Sequence, residues 1–522
     1  MKLPTDLVKM YKEVHGWVGI VSGLALFIAF YAGAITMFED PLQRWASPPA
    51  RLAPAPSLEQ TPQLVEKVIA AHPKAAAQYT VNLVIDAANP ARVSWTTARG
   101  EEALEGGGRK YYASLGPDGA LQVQTRGPSP VAQFIDVLHQ QVGLPFSHEV
   151  SMPIMGAIAL LYVVAIVSGL VVLLPSLVSD LFALRLGRNV KRMWLDVHNL
   201  LGIFSLPFHI IMALTAVVFA FHDQFYLTQG LVFGRPERTV QAPKADGPPP
   251  QFLQPVEIVA RLAREAPGFT PTALNYVRQP DGKAVVAVFG TDPRYGHRGP
   301  TYGIAQVDAV SGKLMDTDYM PGRQDGWSAT VTSFFALHFG SFGGTSIRWA
   351  YFLLGIAGAF LFYTGNLLWV ESRRKRERKA GAVTQSRSTK ILGALTVGVP
   401  LGCIAGISVT VAAAKLLGLD ATIGLHSAIY YAVFLAFTGW ALLRGAARAG
   451  MELLPASAVT MLLVPLASLA ASSRHPPIEP FVDVTAVVIG VALLIAWRAT
   501  VRRARQGPRD SVWAGPIVPS AA

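Results

Sequence analysis

Cysteine is nearly absent from this chain: Cys403 is the only one among 522 residues. That count excludes disulfides, cysteine-ligated iron–sulfur clusters and covalent Cys-x-x-Cys-His haem attachment. Charge is also scarce, at 15% Asp, Glu, Lys and Arg against 51% hydrophobic residues, which excludes an ordinary soluble domain. No Gly-x-Gly-x-x-Gly follows a strand-like run, and neither a phosphate-binding Gly-Lys-Ser/Thr loop nor His-Glu-x-x-His occurs. The sequence therefore offers no recognisable site for nicotinamide, flavin or ATP.

Long apolar runs are what the chain does contain. Eight are long enough to cross a bilayer, near 16–38, 152–174, 200–221, 347–370, 391–414, 423–443, 453–472 and 481–498. Pro455 and Pro465 leave a re-entrant pair open for the last two. The net charge of +12 collects on one side of this pattern. Lys2, Lys9 and Lys12 precede the first run, Arg185 to Arg192 join the second and third, Arg373 to Lys379 follow the fourth, and Arg498 to Arg505 follow the eighth. The positive-inside rule then expects both termini in the cytoplasm of an inner-membrane protein, and reads the basic clusters as topology signals and lipid contacts, not as a nucleic-acid site. The first run is too long for a signal-peptide core and is expected to be retained.

Two stretches repeat. His15-Gly-Trp-Val-Gly19-Ile-Val-Ser22, leading to Phe38-Glu39-Asp40, matches His198-Asn-Leu-Leu-Gly202-Ile-Phe-Ser205, leading to Phe221-His222-Asp223, at a constant offset of 183 residues. Leu138-His139 and Leu337-His338 each precede the next apolar run. Between these landmarks lie two polar segments, each with a Pro-rich linker, a helical stretch (57–72 and 255–265) and alternating strand-like runs (79–85, 92–97 and 111–115; 284–289 and 302–307). The expected fold is a polytopic α-helical membrane protein of about eight spans with two small α+β periplasmic domains, made by internal duplication. The expected division is 1–40 span one, 41–137 first domain, 138–175 histidine segment and span two, and 176–222 loop and span three. It continues with 223–336 second domain, 337–371 histidine segment and span four, 372–390 basic linker, 391–500 four-span extension and 501–522 tail.

These features together resemble the PepSY-associated transmembrane family over roughly residues 8–375. The resemblance rests on the His-x-x-x-Gly openings of spans one and three, the helix-plus-hairpin segments, the Leu-His pairs, and Leu337-His338-Phe-Gly-Ser-Phe-Gly-Gly344 followed by Arg348-Trp349. It implies PepSY-like domains, and some members of the family are inner-membrane di-haem reductases that release iron from ferric siderophores. The four C-terminal spans match no functional motif.

Histidines at membrane boundaries are costly unless they bind something, and neutral imidazole is a good axial ligand for haem iron. Alternation of spans brings His15 and His198 to one face and His139 and His338 to the other, so two b-type haems could form a wire across the bilayer. The plainer readings are lipid-headgroup contacts for His15 and His198 and surface-helix caps for His139 and His338. His209 lies 11 residues beyond His198, about 16 Å along a helix and on the same face. It is a candidate outer-haem ligand, a polar group between the haems, or a partner of a carbonyl freed by Pro207. Arg348 is a candidate propionate partner or an ordinary boundary arginine. His222 is read as exposed, and His72, His148, His297, His426 and His475 as structural. Trp327, Phe334, Phe335, Phe339 and Phe342 border the outer position as a cleft lining, core or lipid anchor.

The leading expectation is a haem-dependent ferric-siderophore reductase drawing electrons from quinol or a cytoplasmic donor. A PepSY-domain regulator that binds peptide or protein, and a siderophore transporter, are the alternatives. Asp420 and Asp483 lie at span ends, which makes ion-coupled transport less attractive.

Overall fold

The computed structural model describes residues 4–87, 89–97, 110–125, 128–180, 185, 190–233, 252–278, 284–299, 301–381, 385–473, 479–506 and 511–514. The chain opens with α1 (Thr5–Thr36) and the short α2 (Glu39–Ala46), and α3 (Thr61–Ala71) leads into the first strands. Helices α4 (Val131–Gln140) and α5 (His148–Leu173) follow. Next come α6 (Val190–Phe204), α7 (Leu206–Ala220) and α8 (His222–Phe233). Helix α9 (Pro255–Glu265) leads into the second set of strands, and α10 (Gly326–Phe339) and α11 (Gly344–Lys379) close that half. The C-terminal extension is α12 (Arg387–Leu417), α13 (Ile423–Arg444), α14 (Ala446–Ala471) and α15 (Pro480–Gln506).

Among the described residues, seven helices are long and apolar enough to cross a membrane: α1, α5, α11, α12, α13, α14 and α15. The α6–α7 pair makes eight if counted as one broken span, bent by 69°. The break falls at Ser205, two residues before Pro207, whose missing N–H ends the regular ladder. Helix α14 runs unbroken through Pro455 and Pro465, so the last two apolar runs are full helices and no re-entrant pair forms.

The strands do not build two separate sheets. The first set is β1 (Gln78–Asn82), β2 (Val93–Thr96), β3 (Lys110–Leu115) and β4 (Leu121–Gln124); the second is β5 (Thr270–Arg278), β6 (Ala284–Thr291), β7 (Gly303–Asp308) and β8 (Leu314–Asp316). All eight form one antiparallel sheet in the order β4-β3-β2-β1-β5-β6-β7-β8. At its centre β1 pairs with β5, with Tyr79 opposite Tyr276 and their rings stacked at 4.9 Å. The expectation of one domain per segment thus gives way to a joint layer, because each segment alone would leave a strand edge unpaired and each edge satisfies the other. The turns expected between strands at 115–122 and 307–315 join β3 to β4 and β7 to β8, whereas β5 was not among the expected runs.

Helices α3 and α9 cover one face of this sheet. Leu64, Val68, Ile258 and Leu262 meet Val81, Val93, Leu274, Val286 and Val307 in a continuous core, each fully buried side chain contributing roughly 1.5–3 kcal/mol. The alternation of buried and half-buried residues along β6 is the imprint of that one-sided packing. Helix α9 is held at its start by Glu257, whose carboxylate accepts from the Gln254 N–H at 2.8 Å.

The extension is tied to the rest at both ends. On the sheet side, Arg44 of α2 donates to Glu479 at 2.6 Å, and Lys415 of α12 reaches the Trp45 carbonyl. On the opposite, basic side, Glu371 of α11 takes Arg374 at 3.0 Å and Arg503 of α15 at 3.2 Å. The bundle therefore orients α2 and the end of α11 as well as filling the membrane layer.

Candidate functional site

The repeated histidines converge in pairs. On the basic side the rings of His15 (α1) and His198 (α6) lie 6.2 Å apart, centroid to centroid, at 71°. On the sheet side His139 (α4) and His338 (α10) lie 5.9 Å apart at 37°. Two imidazoles bound to opposite faces of one metal, at about 2 Å per metal–nitrogen bond, place their centroids roughly 6 Å apart. Both spacings meet that requirement.

The hydrogen bonds fix which nitrogen is available. His15 Nδ1 meets the Ala165 carbonyl of α5 at 2.9 Å, and His139 Nδ1 meets the Ala29 carbonyl of α1 at 2.8 Å. A carbonyl only accepts, so both Nδ1 atoms carry hydrogen. His198 Nδ1 sits 3.0 Å from Thr364 Oγ1 of α11, and His338 Nδ1 sits 2.8 Å from Thr215 Oγ1 of α7. Each hydroxyl has given its own hydrogen away, Thr364 to the Leu361 carbonyl at 2.8 Å and Thr215 to the Ile211 carbonyl at 2.7 Å. With its hydrogen on the helix carbonyl, each hydroxyl is left to accept from its imidazole. All four rings are held as the tautomer whose Nε2 is a bare lone pair, the arrangement that outer-shell partners impose on metal-ligating histidine.

Glycines make room beside these rings. A Cβ on Gly169 would come 2.9 Å from His15 Cε1, and one on Gly33 would come 2.7 Å from His139 Nδ1. Gly169 and Gly33 each stand four residues beyond the accepting carbonyl, so one helix turn supplies both the acceptor and the space. Gly365 faces His198 Cε1, at 3.5 Å from its built Cβ. In the His-x-x-x-Gly openings, Gly19 has nothing within 4 Å of a built Cβ, and Gly202 only Leu361 at 3.9 Å. One turn deeper than each of His15 and His198, a side chain's volume is left open.

Among the described residues no three His, Cys, Asp or Glu side chains converge as a metal cage. Two imidazoles alone would leave a bare ion under-coordinated, whereas a porphyrin brings four nitrogens of its own and asks for two axial ligands. The donor set, the tautomers and the open glycine turns fit an iron porphyrin.

His209 of α7 stands apart from both pairs. It is 2% exposed, its Nδ1 is hydrogen-bonded to the Tyr162 hydroxyl of α5, and its Nε2 is buried without a partner. Phe30, Phe208 and Phe362 surround it. Its side chain turns to Tyr162, not to a carbonyl freed by Pro207.

Arg348 lies at the sheet-side start of α11, close enough to Asp40 and His297 to act on their charges. His222 is exposed beside Asp223. Phe335 and Phe339 pack on Phe219, which meets the His338 ring at 5.0 Å, while Trp327 is 75% exposed and is no part of that cluster. Phe342 lies against Tyr351. His72 packs on Trp95, His148 begins α5, and His426 is buried against Phe134. His475 lies outside the described residues.

A family model described as the PepSY-associated TM region matches residues 12–372. This chain belongs to that family. The match covers both histidine pairs, the whole sheet and every acceptor and glycine named above, and it stops at the base of α11. The C-terminal extension is thus an addition to the PepSY-associated TM region. No curated protein matches the chain.

The sequence reading missed Thr215, Thr364 and Tyr162. Thr215 is the only hydroxyl of α7, the signal that could have found it, whereas Tyr162 and Thr364 share their helices with other hydroxyls.

Proposed function

We propose that this member of the PepSY-associated TM region family is an inner-membrane di-haem b-type oxidoreductase. It would pass electrons across the membrane to a periplasmic ferric chelate, a ferric siderophore, whose iron is released on reduction. The reading is carried by one observation: two histidine pairs, one toward each side of the membrane layer, each with ring centroids about 6 Å apart and each ring anchored through Nδ1 to a neighbouring helix. In it, the sheet side is periplasmic, the basic side is cytoplasmic and both termini are cytoplasmic, as the distribution of Lys and Arg supports. The repeated histidines and the β1–β5 seam support an origin by duplication of one span–domain–span unit, with each half contributing a PepSY-like portion to the sheet.

Haem, when bound, supplies one-electron chemistry. The chain's own residues do the rest. His15 and His198 ligate toward the cytoplasm, and His139 and His338 toward the periplasm. Ala165, Thr364, Ala29 and Thr215 hold the four imidazoles neutral and oriented. His209 and Tyr162 supply a polar pair between the two positions, and Arg348 a cation near the outer one. The donor would be quinol or a cytoplasmic reductase. Reduction loosens the substrate because ferrous iron is a poorer partner for hard oxygen ligands.

The test is the absorbance spectrum of detergent-purified protein before and after dithionite, followed by addition of a ferric siderophore. A reduced b-type spectrum at about two haems per chain, rapidly reoxidised by the chelate, is the expected result. A colourless preparation from haem-replete cells would reject this function and leave a PepSY-domain regulator.

A further inference from the structure

Helix geometry sets lysines directly over the inner histidine pair. Lys12 precedes His15 by three residues, about 4.5 Å along α1 on nearly the same face. Lys191 precedes His198 by seven, about 10 Å along α6 and again on the same face. Helices α6 and α11 run antiparallel here and keep register. His198 faces Gly365, and seven residues toward the basic side on each helix Lys191 donates to Ser372 Oγ at 2.8 Å. Lys12, Arg374 and Lys375 all approach closely enough to repel the Lys191 charge.

The one carboxylate acting on Lys191 is Glu371, and Arg374 and Arg503 already claim it. Among the described residues neither Lys12 nor Lys375 forms an ion pair. Like charges crowded in this way cost free energy unless an anion joins them. A b-type haem held by His15 and His198 would bring two carboxylates on one edge of its ring, the anions that this crowd of cations lacks.

We propose that Lys12, Lys191 and Lys375 form a carboxylate seat for the propionates of the inner haem, fixing that edge toward the basic face where electrons enter. This rests on the di-haem reading. The lysines neutralise the propionates and, by favouring the more negative reduced state, raise the inner midpoint potential.

The test is potentiometric titration of haem-loaded protein in nanodiscs of neutral lipid, with haem transfer to apomyoglobin as a second readout. Lys12→Ala with Lys191→Ala is expected to lower one of two midpoints and to speed loss of one haem roughly ten-fold. Lys191→Arg with Lys12→Arg should restore both values. Unchanged midpoints and loss rates in the alanine variant would overturn the seat while leaving two haems in place. A shift that appears only in nanodiscs of anionic lipid would also overturn it, because the lysines would then serve lipid phosphate. Wild-type protein that binds no haem would remove the di-haem reading itself, an outcome distinct from the other two.

Discussion

His198 rests its Nδ1 on the hydroxyl of Thr364 at 3.0 Å, and that hydroxyl has already spent its hydrogen on the Leu361 carbonyl. With the hydroxyl so engaged the imidazole donates, which leaves Nε2 bare. Thr364→Val keeps the shape and removes the acceptor. The expected result is an inner-haem affinity about 10- to 100-fold weaker, with the outer haem unaffected, read from haem transfer kinetics. Equal retention of both haems in this variant would show that Thr364 does not orient the ligand.

Pairing predicts a stoichiometric pattern. Alanine at either His15 or His198 should lower the content from about two haems per chain to about one, and combining the two should lower it no further. Alanine at His139 or His338 should remove the other. A pyridine haemochrome assay with reduced-minus-oxidised spectra checks this; additive loss within one pair would contradict it.

Gly33 and Gly169 should tolerate no side chain. A methyl on Gly33 would meet His139 Nδ1 at 2.7 Å, and one on Gly169 would meet His15 Cε1 at 2.9 Å. Gly33→Ala is expected to cost about 1–3 kcal/mol of stability and to weaken the outer haem alone, and Gly169→Ala the inner alone. Thermal unfolding in detergent, followed at the haem bands and in the far ultraviolet, separates the two effects.

Glu39, on α2 outside the membrane layer, gives a pH signature. Burial, then the neighbouring Asp136 and Asp40 carboxyls, push its acid up to about 8 from an ordinary 4.5. The folded chain therefore holds this proton where the unfolded chain has lost it. Its contribution is fully present below about pH 4.5 and is lost as pH rises toward 8. Glu39→Gln should flatten the decline in stability over that window and be the more stable protein at pH 8. A midpoint-versus-pH series that is parallel for the two proteins would contradict the assignment.

Much of this was legible in the chain. The apolar runs gave the spans because length and hydropathy are local properties, and family membership follows from the spaced histidines and glycines that the eye can align. The α6–α7 break at Ser205 is foreshadowed by Pro207, though its 69° angle is not. Strand β5 escaped notice because Thr270–Arg278 contains a proline and an asparagine, and its burial comes from β1, which lies about two hundred residues away in sequence. Thr364 and Thr215 escaped for a related reason: a hydroxyl in an apolar helix shows that something polar is near, and not what.

The sequence by itself determined that this is a multi-pass membrane protein with matched histidines near the ends of its spans, because periodicity and composition are written residue by residue. Only the tertiary structure decided that the two halves share one sheet, that His15 meets His198 and His139 meets His338, and that all four rings turn Nδ1 to an acceptor on a neighbouring helix. Those outcomes depend on distances between segments far apart in the chain, set by packing, which no local pattern encodes.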